Sequence, residues 1–191
     1  MSDAGKATPV AGSGDAVLVG YFAKKRTPRP DWLECPFVEE ICSVSECMAP
    51  GAEDWIQTWA HNVWGFFDSP EGAWNAVPET QRPDFDLFAY ELLPVRFVGG
   101  KAEPLDVRAG ATAPLDPSCH PLGYDVVSRG TSDFFECSPL SCNNWAAEVG
   151  ANAYCLIDDL DEALRLASVA EESRVEPGDY HVMRVWRREG T

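Results

Sequence analysis

The 191-residue chain carries a formal charge of −16, because 31 acidic residues outnumber 15 basic ones. This charge opposes binding to phosphate backbones, so we expect no nucleic acid partner, and we expect any protein partner to be basic. No apolar run reaches the roughly 18 residues that a membrane span requires, and the chain starts without a signal-peptide pattern. We therefore expect no membrane association and a cytoplasmic location, with seven cysteines that are reduced or bound to metal.

The first half of the chain combines predicted strands with a predicted helix. Residues 1–15 are rich in Gly, Ala and Ser without periodicity, so we expect a disordered N-terminal tail. An apolar strand begins at Ala16 and a proline-rich loop follows it, which opens a first α+β repeat over residues 16–98. Residues 50–61 favour a short helix, and the aromatic run at 63–67 is typical of a strand.

The second half of the chain repeats the first. Residues 62–74 align without a gap on residues 152–164, with Asn, Asp and Ala at matching positions. Each copy is preceded by a Gly-Tyr pair and by two cysteines separated by four residues. Each copy is followed by a strand-like run, at 85–91 and at 180–186. The order of the elements is therefore the same in both halves.

This repeat predicts an internally duplicated α+β fold, in which each unit contains a strand, a cysteine loop, a strand, a helix and a strand. A connection rich in Gly, Ala and Pro, residues 99–118, separates the first unit from the second, at 119–191. Strands are predicted most clearly at 84–97 and 179–187, and a helix is predicted from Asp158 towards residue 173. We expect a pseudo-twofold arrangement, with helices covering one face of the sheet or sheets. The strand, helix, strand order further predicts parallel strands joined by a right-handed crossover.

Two matching cysteine pairs are the sharpest candidates for chemistry. Cys42 and Cys47 in the first copy correspond to Cys137 and Cys142 in the second. Two thiolates at this spacing can share a tetrahedral metal ion, so the four cysteines together predict a zinc site on the pseudo-axis. The same residues allow two other interpretations, as redox-active thiols or as small residues of the core.

Four residues of the first copy form a candidate recognition surface, namely Trp55, Trp59, His61 and Trp64. The chain has seven tryptophans, and tryptophan is enriched at binding hot spots. The polar residues that the two copies share have a structural interpretation instead. An Asn side chain can close a turn at residues 62 and 152, and an Asp side chain can cap a helix at residues 68 and 158.

No motif in the sequence specifies a reaction, since a Gly-rich phosphate loop, a Ser-centred nucleophile elbow and a His-Glu metal helix are all absent. We therefore expect a small acidic intracellular protein that binds or regulates a partner through a protein surface, rather than an enzyme. The alternative is a protein that binds zinc, or depends on its thiols, through the paired cysteines. Metal content and the effect of a chelator on the fold separate the two hypotheses.

Overall fold

The structure is a computed structural model that describes residues 15–45, 47–48, 50–51, 61–130, 135, 137–170 and 178–188. Most of the predicted N-terminal tail and most of the helix predicted at 50–61 lie outside these residues. The elements follow in the order β1 (Val17–Lys25), α1 (Pro70–Asn75), β2 (Phe85–Val98), β3 (Lys101–Pro104), β4 (Cys119–Arg129), α2 (Pro139–Cys142), α3 (Ala146–Val149), α4 (Leu160–Ala170) and β5 (Asp179–Arg188). Within the described ranges, no helix is long and apolar enough to cross a membrane.

Three of the predicted elements are confirmed. The strands predicted at 84–97 and 179–187 correspond to β2 and β5, and the helix predicted from Asp158 corresponds to α4. The buried residues of α4 are Ala163, Leu166, Ala167 and Ala170. Their spacing of three and four residues places them on one face of the helix, which is the periodicity that the sequence displayed.

The five strands of the described chain form one antiparallel sheet in the order β1, β2, β5, β4, and β3 pairs with β2 beyond the end of β1. The central pair is β2 with β5, in which Tyr90 lies opposite Val185. Every pairing is antiparallel, so the predicted parallel strands with a right-handed crossover are wrong. Helix α1 contacts β1 and β2, while α4 contacts β4 and β5. The molecule is therefore a mixed α+β fold with few short helices.

The aromatic run after Asn62, predicted as a strand, is a turn that the Asn62 side chain closes. Its Oδ1 accepts the N–H of Trp64 at 2.9 Å, and its Nδ2 donates to the carbonyl of Val19 at 2.8 Å. Tyr21 and Phe67 exchange two backbone hydrogen bonds of 2.9 Å, which tie the turn to β1. The run is rich in aromatic residues because their side chains are buried in the core. The Asn62 side chain forms the hydrogen bonds with backbone groups that a neighbouring strand would form in a sheet.

The loop at Asn152 makes the same contacts with the corresponding atoms. Its Oδ1 accepts the N–H of Tyr154 at 2.9 Å, and its Nδ2 donates to the carbonyl of Leu122 at 2.8 Å. Tyr124 and Ile157 exchange two backbone hydrogen bonds, of 2.8 and 2.9 Å. The interpretation of both asparagines as turn-closing residues is therefore confirmed.

The helices that follow these two loops are capped one residue later than predicted. Ser69 Oγ accepts the N–H of Gly72 at 3.1 Å, and Asp159 Oδ1 accepts the N–H of Glu162 at 2.9 Å. Asp158 instead accepts the side-chain amide of the loop asparagine at 2.7 Å. The predicted capping aspartates are therefore wrong by one position, because the turn-closing contacts carry the chain one residue further before the helix begins.

The segment between β3 and β4, residues 105–118, is called the connecting segment below. It packs against β1 and against the turn that Asn62 closes, residues 62–67, which is called the first asparagine loop below. The indole Nε1 of Trp64 donates to the carbonyl of Arg108 at 2.8 Å, and Oη of Tyr21 donates to the carbonyl of Pro114 at 2.7 Å. This stretch, which its Gly, Ala and Pro content marks as a connection, therefore covers one end of the sheet.

Candidate metal centre

Two loops carry cysteines to one place beside the sheet. The first loop, residues 42–47, reaches β4, where the N–H of Val44 donates to Oδ2 of Asp125 at 2.7 Å. The second loop runs from Cys137 into α2, and its carbonyl at Cys137 accepts the N–H of Ser128 at 2.8 Å. Strand β4 therefore holds both loops, one through a side chain and the other through its backbone.

Three cysteine sulfurs converge where these loops meet. The Sγ atoms of Cys47, Cys137 and Cys142 lie within 4.8 Å of one another. Cys137 is buried, Cys142 is half-buried and Cys47 is exposed, so the cluster extends from the interior to the surface. Sulfurs around one tetrahedral zinc ion lie about 3.8 Å apart, since the Zn–S distance is about 2.3 Å. The cluster could therefore bind a metal ion after a contraction of about 1 Å.

The thiol of Cys142 has an environment that favours its charged form. A hydrogen bond from Cys137 is the main cause that lowers the pKa of Cys142 to about 6, against burial, which raises it. The hydroxyls of Ser45 and Ser141 lie 3.8 and 3.9 Å from its Sγ and act in the same direction. These hydrogen bonds favour the thiolate of Cys142, which is the form that binds metals and attacks electrophiles.

A buried lysine binds the backbone of the first cysteine loop. Nζ of Lys24, on β1, donates to the carbonyls of Ser43, Val44 and Ser45 at 2.7, 2.7 and 2.8 Å. The residue is only 1% exposed. Three carbonyls on one ammonium fix the course of the backbone directly before Cys47.

A buried aspartate joins the two loops to each other. Oδ1 of Asp125 accepts the hydroxyl of Ser138 at 2.6 Å, while its Oδ2 accepts the N–H of Val44. Burial raises the pKa of Asp125 to about 7, and the two hydrogen bonds and the charge of Lys24 oppose this rise. The positions of the cysteine loops relative to each other therefore depend on one carboxyl group.

The fourth predicted cysteine, Cys42, lies outside the cluster. Its Sγ is 4.0 Å from Nη1 of Arg187, which also forms a 2.7 Å ion pair with Glu40. Burial raises the pKa of Cys42, so its thiol is neutral at ordinary pH. The predicted four-cysteine arrangement is therefore corrected to three, because this side chain is directed into the core rather than towards the other loop.

Two of the four residues of the predicted recognition surface, His61 and Trp64, lie in the described chain. Trp55 and Trp59 lie outside the described residues, and His61 forms an isolated backbone bridge with Phe67. Trp64 is 7% exposed, so its ring is part of the core. The large exposed apolar side chains of the described residues are Trp32, Phe37 and Val63, and the last of these lies between His61 and Trp64.

Sequence reasoning missed the two buried charged residues that position the loops. Lys24 stands at the end of an apolar strand beside Lys25, and Asp125 precedes two valines in β4. A charged residue inside an apolar strand is a weak signal of a buried polar contact. Nothing local in the sequence identifies the distant backbone groups that these side chains bind.

Comparisons with known proteins were made with the whole chain. No protein-family model, no curated protein and no solved structure matches it.

In protein freed of metal by a chelator, we expect iodoacetamide to alkylate Cys142 with a rate that rises through about pH 6 and is level above about pH 7, because the reacting thiolate forms at that pKa. Peptide mass mapping after pulsed alkylation between pH 5 and 9 measures this rate. Cys42, which is buried and has a raised pKa, is the unreactive control. A Cys142 rate that still climbs about threefold between pH 8 and 9 would contradict the assignment, because an ordinary thiol with a pKa of about 8.5 behaves that way.

Proposed function

We propose that the protein binds a zinc ion through Cys47, Cys137 and Cys142, and that the metal joins its two cysteine loops. The observation that carries this proposal is the convergence of three sulfurs within 4.8 Å from two segments far apart in the sequence. Thiolates are soft ligands, which favour zinc over magnesium or calcium. Three thiolates leave a fourth position, which catalytic zinc sites give to water.

The surroundings of the cluster support this proposal. Lys24 and Asp125 hold the loops through buried hydrogen bonds that do not involve a metal, so the ligands are arranged before the ion binds. The lowered pKa of Cys142 favours the deprotonated ligand that zinc requires. A site prepared in this way loses less ordering entropy on binding.

Native mass spectrometry of protein purified without chelator, together with elemental analysis, tests this function. We expect one zinc ion per chain in the parent, and its loss in Cys137→Ser and in Cys142→Ser. Cys42→Ser is the matched control, because Cys42 belongs to the same sequence element as Cys47 but lies outside the cluster. This variant should retain the metal.

Two outcomes would contradict the zinc proposal. One is retention of the metal in Cys142→Ser, and the other is a metal-free parent whose fold is indifferent to chelator. A metal-free chain in which Cys137 and Cys142 have lost two hydrogens on treatment with peroxide would favour the thiol-dependent alternative, since a disulfide then replaces the two thiols.

A second candidate function is binding or regulation of a protein partner through an exposed surface. Phe37 is 78% exposed and Trp32 is 47% exposed, both in the loop after β1. The exposed acidic residues Asp31, Glu34 and Glu39 lie in the same loop. Exposed aromatic side chains and carboxylates in one loop suit a basic partner, which the net charge of the chain also favours.

We also infer that the chain arose by duplication of one α+β unit, and that the two units are related by a pseudo-twofold axis at the central pair of β2 and β5. The register of the sheet supports this inference. Tyr21 lies opposite Ala89 of β2, and Tyr124 lies opposite Arg184 of β5. A bulge precedes each tyrosine, and the residue directly before it is a glycine with φ of +151° or +141°.

A further inference from the structure

A surface cavity of about 380 Å³ lies beside β4. Its lining includes Tyr124, Asp158 and Trp186, together with the guanidinium-bearing Arg184. Arg184 lies over the rings of Tyr124 and Trp186, at 5.4 and 5.8 Å from their centroids, and pairs with Glu91 at 3.2 Å. The cavity is therefore preformed, with an aromatic wall held in place by an ion pair.

The corresponding surface beside β1 is covered by the connecting segment. Tyr21 Oη donates to the carbonyl of Pro114 at 2.7 Å, and the N–H of Thr112 donates to the carbonyl of Asp68 at 3.0 Å. A Cβ on Gly110 would lie 2.2 Å from a backbone oxygen of β1, so the segment needs glycine there. The segment that covers this surface therefore has three features. It has a glycine at the closest approach, a donating backbone N–H two residues later, and a proline carbonyl that accepts a hydrogen bond four residues later.

The cavity shares a tyrosine and an aspartate with the covered surface, whereas Arg184 lies opposite Tyr124 where Ala89 lies opposite Tyr21. Tyr124 and Asp158 hold the positions beside β4 that Tyr21 and Asp68 hold beside β1, because each tyrosine exchanges two backbone hydrogen bonds with the residue before the aspartate. The Tyr124 Oη accepts Nη2 of Arg184 at 3.1 Å, and its own hydrogen is a donor for a ligand. The cavity is therefore suited to a segment of the same pattern.

The sequence contains that pattern at a matching place. Ala-Gly-x-x-x-Pro occurs twice, at residues 109–114 and at residues 4–9. Residues 109–114 precede β4 and cover the surface beside β1. Residues 4–9 precede β1 in the same way. The pseudo-twofold relation between the two units would therefore place them at the surface beside β4.

The chain before β1 is long enough to reach the cavity. Five residues lead from Pro114 to the start of β4 at 119, and eight lead from Pro9 to the start of β1 at 17. Asp15 and Ala16 line a second cavity of about 410 Å³, which shares Arg184 with the first. Each extended residue spans about 3.4 Å, so the eight residues before β1 can span at least the distance that the five residues before β4 cover.

We propose that residues 4–9 of the chain bind in the cavity at Tyr124. In this arrangement Tyr124 Oη donates to the carbonyl of Pro9, and the N–H of Ala7 donates to the carbonyl of Asp158. The proline ring packs on the aromatic wall, as proline-rich segments do in aromatic grooves. This binding is independent of the zinc site and rests on the pseudo-twofold relation inferred for the two units.

A competition experiment tests this intramolecular binding. A synthetic peptide of residues 2–11 is titrated by calorimetry into the full chain and into a Gly5→Val/Pro9→Ala variant of the full chain. A tethered segment has an effective concentration of about 1 mM, so a peptide with a Kd of about 0.1 mM should bind the variant roughly tenfold more tightly than the parent. Both substitutions lie outside the folded elements that the structure describes.

The site of binding is tested in the same variant background. Tyr124→Phe should weaken peptide binding about three- to tenfold, because one hydrogen bond is lost, whereas the matched control Tyr21→Phe should leave it unchanged. Equal affinity for parent and variant would assign the cavity to a partner in trans and overturn the proposal. Absence of peptide binding to the variant would also overturn it, as would a competition that depends on chain concentration, since a second copy would then supply the segment.

Discussion

Replacing Lys24 by Met should lower the free energy of unfolding by about 3 to 5 kcal/mol, because a buried charge with several partners is removed. The three carbonyls that accept from its Nζ, at 2.7 to 2.8 Å, would be left without this donor in the interior. The charge that offsets the burial of Asp125 would be lost as well, so the pKa of that carboxyl should rise further above about 7.

Urea denaturation followed by circular dichroism measures the effect of this substitution. Lys25→Met is the matched control, since Lys25 is the exposed neighbour on the same strand and its substitution should change stability by less than about 0.5 kcal/mol. Zinc content should fall in Lys24→Met and remain in the control, because the loop before Cys47 loses its anchor. Similar unfolding midpoints for the two variants would refute the buried role of Lys24.

Replacing Gly20 by Ala should destabilise the protein by about 3 kcal/mol or more, since backbone strain and steric overlap act together. Gly20 has a φ of +151°, and a Cβ there would lie 2.5 Å from Cβ of Phe66 and 2.7 Å from the carbonyl oxygen of Phe67. Both atoms belong to the first asparagine loop. This loop cannot move away from β1 without breaking its hydrogen bonds to that strand. The glycine therefore sets how closely this loop approaches the sheet.

Two further glycines make this prediction specific, and thermal unfolding of all three variants measures it. Gly123→Ala should lower the stability by a smaller amount than Gly20→Ala, because its Cβ would lie 2.9 Å from the carbonyl oxygen of Ile157. Gly99→Ala is the control, with a φ of +57° and no atom within 4 Å of the added Cβ, so only backbone strain of about 1 kcal/mol remains. An equal loss of stability in Gly20→Ala and Gly99→Ala would show that close packing plays no part.

Local pattern predicted much of the secondary structure, and its failure has an identifiable cause. The strands β2 and β5 and the helix α4 were predicted because burial leaves a direct periodic signature in each. The aromatic run after Asn62 carries the same composition but pairs through the Asn62 side chain and through two isolated bridges at Phe67. The aromatic composition of such a run indicates that it is buried. It does not indicate whether a neighbouring strand pairs with it.

The candidate site was predicted in part. Three of the four paired cysteines meet, whereas Cys42 lies near Arg187 and is excluded. Lys24 and Asp125 left no motif, because their partners are backbone groups of distant segments. Spacing can nominate ligands, but the direction of a side chain depends on the packing around it.

The sequence by itself determined the repeated pattern, the strand and helix periodicity of the clearest elements, and the cysteine pairs from which ligands could come. Only the tertiary structure decided the antiparallel order of the strands, the exclusion of Cys42 and the burial of Lys24 and Asp125. The physical reason is the range of the interactions involved. Periodicity and capping act over a few residues, whereas a sulfur cluster and a buried ammonium depend on segments that meet only when the chain is folded.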